Sequence, residues 1–266
     1  MKKKRYLVIA CLFAAVFIVS AVMIGVTLYR YQKADRIYSD LQDRFVTLVE
    51  QPSTQPTDGA GLQLSEQQPA KPVVTAPIRV DFDALLRENS DVVGWIYCEN
   101  TPINYPVVRS GDNDQYLRRD LYGKYLISGT LFVDYRCLTV GTGQNFIVYG
   151  HNMNNGTMFG TLVNYKEQDY YTAHPVLWYL TPDGDYKIEL FAGMVTASDS
   201  EVYTPEFGKK ENYAAFLQNV RAESTFTSDV SVTEEDSIVT LSTCSYEFGN
   251  ARYVVFGKLV SLSDPD

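Results

Sequence analysis

Residues 6–29 carry no charged side chain, and no other feature constrains the chain as strongly. At about 1.5 Å per helical residue the run exceeds the roughly 30 Å of hydrocarbon in a bilayer. A secretory signal would have an apolar core of about 7–15 residues and a small-residue cleavage site. This run instead continues past Ser20 and Ala21, so an uncleaved anchor is expected, with a cleaved signal as the alternative. Lys2, Lys3, Lys4 and Arg5 precede it. By the positive-inside rule they hold the N-terminus in the cytoplasm and put the rest of the chain outside. Arg30, Lys33, Arg36 and Arg44 oppose that bias, which a long translocated domain tolerates.

The boundaries read as a cytoplasmic N-terminus at 1–5, an anchor at 6–29, a helical stalk and Pro/Gln-rich linker at 30–79, and a folded domain at 80–266. Ile37, Leu41, Phe45 and Leu48 recur every three or four positions among charged neighbours, so residues 30 to about 50 are expected to form an exposed helix continuing the span. Residues 51–77 are rich in Gln, Pro, Ser, Thr and Gly and cannot offset their ordering entropy by burial. They are expected to tether the domain off the membrane surface.

Within the domain, Asp81 is placed to cap a short helix carrying Phe82, Leu85 and Leu86. Strands are expected at 92–98, 103–108, 130–135, 145–149, 176–180, 186–197, 238–244 and 253–260. Pro182-Asp183-Gly184-Asp185 signals a hairpin, and Tyr213, Phe216, Leu217 and Val220 share one face of a helix over 211–221. The 20 tyrosines also suit a pleated surface. A mainly β domain follows, either a sandwich or a small barrel.

A net charge of -9, with no basic cluster beyond the N-terminus, argues against a nucleic-acid partner. Four scattered cysteines make no disulfide framework and no C-x-x-C pair, so neither a metal nor an organic cofactor is expected. Cys98 and Cys137 are either bridged or, on the blander reading, buried free thiols.

Chemistry concentrates at 237–252. On a strand, Ser242 and Cys244 face one way, and Cys244 stands at the end, before a loop containing Gly249-Asn250. A hairpin return brings Arg252 beside the thiol. A fixed cation there favours thiolate and can hold a developing oxyanion. The competing reading, a core cysteine and a solvated arginine, is equally open on these residues alone. His151, at the mouth of the apolar run Asn145–Tyr149, is the candidate base, while His174 before Pro175 reads as structural. Cysteine and histidine far apart in sequence can meet as nucleophile and base for acyl transfer.

At these residues the chain resembles the sortases of class B. Thr240-Leu241-Ser242-Thr243-Cys244 is similar to the segment around the family's nucleophile, Arg252 to its arginine, and Tyr149-Gly150-His151-Asn152 to its histidine segment. Val93-Gly94-Trp95-Ile96, Asn104-Tyr105-Pro106-Val107 and the helix at 211–221 extend the resemblance. It implies a closed β-barrel of about eight strands with few helices. It further implies a cysteine transpeptidase of the Gram-positive surface that cuts Leu-Pro-x-Thr-Gly-like, Asn-Pro-x-Thr or Ser-Pro-x-Thr sorting signals after threonine. In that reading Cys244 carries the acyl group as a thioester, His151 serves as acid and base, Arg252 steadies the oxyanion, and Ser242, Asn104 and Tyr203 line the groove. The implied partners are sorting-signal-bearing surface proteins and an amine from a peptidoglycan cross-bridge or a pilin. A membrane-tethered cysteine peptidase and a non-enzymatic surface scaffold are the alternatives.

Overall fold

The computed structural model describes residues 2–49 and 74–262. Helix α1 (Lys2–Phe45) is, among the described residues, the one helix long and apolar enough to cross a membrane. Leu12, Phe17, Met23 and Tyr29 are all exposed, as an all-round apolar helix is when lipid covers it.

Past Tyr29 the same helix changes character. Ala34, Tyr38, Leu41 and Phe45 form one buried stripe. The Tyr38 ring meets the Tyr105 ring edge-on at 5.1 Å, and its hydroxyl donates to the Gly129 carbonyl. Gln42 Nε2 donates to the Asn104 carbonyl at 2.7 Å, and Arg44 pairs with Glu88. The expected helix beyond the span is therefore present, but it is not an exposed stalk. Charged neighbours gave it a solvated look, yet the i, i+3, i+4 apolar positions find a partner in the barrel wall. Leu48, read as part of that stripe, is instead exposed on strand β1 (Val46–Leu48), which pairs antiparallel with β2 (Ile78–Val80).

The stretch expected to act as a tether, 51–77, lies outside the described residues over 51–73. Its flanks lie side by side, because the Val49 amide donates to the Pro77 carbonyl at 2.9 Å. Helix α2 (Phe82–Glu88) follows, capped by Asp81, whose carboxylate accepts from the Ala84 amide at 2.9 Å.

The remaining strands are β3 (Val92–Tyr97), β4 (Asn104–Val108), β5 (Leu131–Val133), β6 (Asn145–Tyr149), β7 (Val176–Thr181), β8 (Gly184–Ala197), β9 (Ile238–Cys244) and β10 (Ala251–Ser261). They close a barrel in the order β10-β8-β7-β3-β4-β5-β6-β9. The eight expected strands are these eight, with ends shifted by a few residues. The barrel, rather than the sandwich, is the outcome. Its β4–β5 and β6–β9 pairs are parallel and the others antiparallel. Pro182 and Asp183 make the tight β7–β8 turn, since Thr181 pairs with Gly184.

Between β6 and β7 lie a 3-10 turn (Gly160–Lys166) and α3 (Gln168–Ala173), too short to show a period in the sequence. Helix α4 (Lys210–Ala222) buries the predicted face of Tyr213, Phe216, Leu217 and Val220. Cys98 and Cys137 are buried free thiols.

Leu41 is fully buried where α1 meets the barrel. Its truncation to alanine is expected to destabilise the domain by about 2–5 kcal/mol in chemical unfolding of the detergent-solubilised chain. A change below about 1 kcal/mol would mean that the helix is not docked.

Candidate functional site

Strands β6 and β9 run parallel, with Tyr149 opposite Ser242. His151 lies two residues past the end of β6 and Cys244 is the last residue of β9, and both line one groove. Strand β10 returns antiparallel on the other side of β9 and puts Arg252 directly opposite Cys244. Directly paired residues share a face, with Cβ atoms about 4.5–5.5 Å apart. Three adjacent strand ends thus bring together a thiol, an imidazole and a guanidinium from separate parts of the sequence.

Close packing holds the histidine there. A Cβ on Gly150 would stand 2.4 Å from Leu131 Cδ2 and 2.6 Å from the Phe159 ring, so only glycine lets the chain leave β6 this way. The Gly150 amide donates to the Ser242 carbonyl at 3.0 Å, and Thr243 Oγ1 donates to the Gly150 carbonyl at 2.9 Å. Asn152 Nδ2 donates to the Cys244 carbonyl at 2.8 Å, a second tie between the two strand ends.

His151 Nε2 lies 2.8 Å from the Leu117 carbonyl. A carbonyl can only accept, so Nε2 carries the hydrogen and Nδ1 is left to take up a proton. Burial disfavours imidazolium and holds the His151 pKa below its ordinary value; the nearby Arg118 charge acts in the same direction, and the Leu117 carbonyl opposes both.

Among the described residues Arg252 bonds only carbonyls, Ala251 at 3.0 Å and Asn250 at 3.4 Å, and no carboxylate pairs with it there. Arg136 differs. Its Nε and guanidinium fork grip the buried Asp134 at 2.9 and 2.7 Å, and Tyr149 donates to the same carboxylate at 2.9 Å. Burial alone would raise the Asp134 pKa, but these donors outweigh it and hold the carboxyl below its usual range.

The same arginine donates to the Tyr203 carbonyl at 2.9 Å, and Asn145 Nδ2 donates to the carbonyls of Val202 and Thr204. These bonds fix the short turn Glu201–Tyr203 against the barrel and bring the Tyr203 hydroxyl within 2.9 Å of Ser242 Oγ. Burial raises the Tyr203 pKa, although the Ser242 bond and the Arg252 charge pull it down.

His151, Cys244, Arg252, Ser242 and Tyr203 line one open groove with a volume of about 200 Å³. Asn104, expected there, does not line it. Its side-chain oxygen accepts from Trp95 Nε1 at 2.6 Å and its carbonyl from Gln42, so its polar groups serve the barrel wall and α1.

Asn113 and Leu117, missed in the sequence, do line the groove. Asn113 Oδ1 accepts from the Tyr135 amide at 3.1 Å. Asp112 beside it bonds the amides of Asp114 and Gln115, and this Asx turn is the local signal that could have marked the loop. Among the described residues no cluster of three or more His, Cys, Asp or Glu forms a metal site.

The family model for the sortase domain matches residues 96–260. The sortase B of Listeria monocytogenes is 37% identical over 190 residues, 71% of this chain and 77% of that protein. Staphylococcus aureus sortase B is 30% identical over 266 residues, 99% of this chain and all of that protein. Among solved structures, a sortase B from Bacillus anthracis in complex with AAEK1 superposes with a TM-score of 0.71 at 31% identity, covering 88% of this chain and 99% of that one. A Staphylococcus aureus sortase B–substrate complex gives 0.66 at 33% identity, covering 68% and 85%. The chain therefore belongs to the sortase family, within class B, and is a cysteine transpeptidase of the cell surface.

Proposed function

We propose that the enzyme cuts a C-terminal sorting signal after its threonine and passes the acyl group to an amine, with Cys244, His151 and Arg252 as the working residues. The observation that carries this reading is the double register of β9, parallel with β6 and antiparallel with β10, which gathers the three side chains at one groove. The substrate is a Leu-Pro-x-Thr-Gly-like, Asn-Pro-x-Thr or Ser-Pro-x-Thr signal on a surface protein.

Cys244 passes its thiol proton to His151, the resulting thiolate attacks the threonine carbonyl, and the carbonyl electrons move onto oxygen beside the Arg252 guanidinium. Collapse breaks the peptide bond, the leaving amine takes a proton from the His151 imidazolium, and a thioester remains on Cys244. An amine from a cross-bridge peptide or a pilin lysine then loses its proton to neutral His151 and displaces the thiolate. The depressed His151 pKa suits that second step, because it keeps the ring a ready acceptor near neutral pH. Tyr203 and Ser242 line the groove where the signal lies, and Asn113 and Leu117 take the lining role first expected of Asn104.

The anchor spans with its N-terminus in the cytoplasm, as Lys2, Lys3, Lys4 and Arg5 favour, and the barrel works outside.

A chain beginning near residue 30, which keeps the docked part of α1, is expected to cleave at least one of the three signal types. Mass spectrometry should show an acyl adduct on Cys244, an amide product when a glycine peptide or lysine amine is added, and no turnover in Cys244→Ala. If no signal is cut, or if water is the only acceptor used, the transpeptidase assignment to this site fails.

Arg252→Lys keeps the charge and loses the planar fork of donors. Its kcat/KM is expected to fall by about a hundredfold, the scale of one lost oxyanion contact. Turnover within about threefold of wild type would remove the arginine from the oxyanion role.

A further inference from the structure

The loop that leaves His151 is held from a direction that the reaction scheme does not use. Asn152 and Met158 bridge across its neck, and the Phe159 amide donates to the His151 carbonyl at 3.1 Å. Met158 is buried and sits at φ 57, a left-handed conformation that a non-glycine residue keeps only when its surroundings impose it. Among those surroundings is Tyr105, whose hydroxyl accepts from the Met158 amide at 3.0 Å. The Tyr105 ring is in turn met edge-on by Tyr38 of α1, and the Tyr38 hydroxyl bonds Gly129 and reaches Thr130 of the groove at 3.3 Å. One turn earlier, Asp35 accepts from Asn155 of the same loop at 3.4 Å. The membrane helix therefore touches the histidine loop directly at Asp35 and reaches it indirectly from Tyr38 through Tyr105, and the loop reaches the nucleophile's carbonyl through Asn152.

We propose that Tyr38 and Tyr105 are positioning residues through which the extracytoplasmic end of the membrane helix braces the His151 loop against Cys244. The proposal rests on the roles assigned to His151 and Cys244. Tyr38 and Tyr105 touch neither substrate nor the reacting atoms; they hold the imidazole in line for proton transfer. The docked end of α1 is then part of the catalytic apparatus as well as an anchor.

The test is steady-state cleavage of the best-cut sorting peptide by the full chain in detergent micelles. Rates are expressed per folded chain, the folded fraction being read from near-ultraviolet circular dichroism, so that unfolded enzyme does not enter the rate. Tyr105→Phe keeps the ring against Tyr38 and removes only the acceptor for Met158. Its kcat per folded chain is expected to fall about tenfold with KM within about twofold, the pattern of lost alignment rather than lost binding. Tyr38→Leu should lose a similar factor, and the double variant should lose no more than the worse single one, because both act through one route.

A merely structural role would lower the folded fraction and leave kcat per folded chain unchanged, and that result overturns the proposal. Independent, multiplying losses in the double variant overturn it as well. His151→Ala is run alongside: inactivity keeps the underlying assignment, so an unaffected Tyr105→Phe then counts against the brace alone. Retained activity in His151→Ala removes the assignment itself, and the brace with it.

Discussion

The parallel ladder between β6 and β9 is the constraint on which the site depends. Parallel neighbours need a long crossover, and here it runs from Gly150 to Ser237, through α3, β7, β8 and α4. Once that crossover is made, both strands end at the same rim, and the residues just beyond their ends must stand together. Covered on both faces, β6 and β9 are buried along nearly their whole length, without the alternation of a half-exposed strand. One buried amide locks the arrangement. Asn145, at the start of β6, accepts from Thr240 of β9 at 2.7 Å and donates to the two carbonyls flanking Tyr203. The register that aligns His151 with Cys244 and the turn that brings Tyr203 over Ser242 are therefore secured by the same side chain.

Electrostatics then distinguishes two arginines beside one groove. Arg136 is spent on Asp134, a buried carboxylate that would be costly to leave unpaired, and what it contributes to the site is the position of Tyr203. Among the described residues Arg252 meets only carbonyl oxygens, so its field remains available to a thiolate or an oxyanion. Exchanging the two environments would leave the groove with the same formal charge and no useful cation. Partner geometry, more than the count of charges, gives the site its polarity.

Much of this was legible in the sequence because it is local. Eight β-rich runs, the Asp81 cap, the Pro182-Asp183 turn and the α4 face each depend on a few adjacent residues, as does the Cys244–Arg252 hairpin. Barrel closure and the approach of His151 were not legible from periodicity, since both depend on which distant strands pair; the family resemblance supplied them. Asn104 and Asn113 show the limit of matching by motif. Both are asparagines near one strand, and only the Asx turn at Asp112 carries Asn113 to the groove, while Asn104 is consumed by Trp95. The buried stripe on α1 was visible as a period, but charged neighbours made it look solvated. Burial depends on what the helix meets, and the barrel wall that covers it is built from residues more than 50 positions away.

In the proposed topology, that wall also determines what sets the enzyme's height above a bilayer. For a span ending near Tyr29, the first buried docking residue, Ala34, is about 7–8 Å further along the same helix at about 1.5 Å per residue. The chain thus reaches the barrel before the Pro- and Gln-rich segment begins. That segment leaves from Val49 and returns at Pro77, two residues joined by a backbone hydrogen bond. Whatever length it has, it adds nothing to the distance between membrane and groove. A continuous helix with a packed end fixes that distance and the barrel's orientation together, whereas a flexible tether would fix neither.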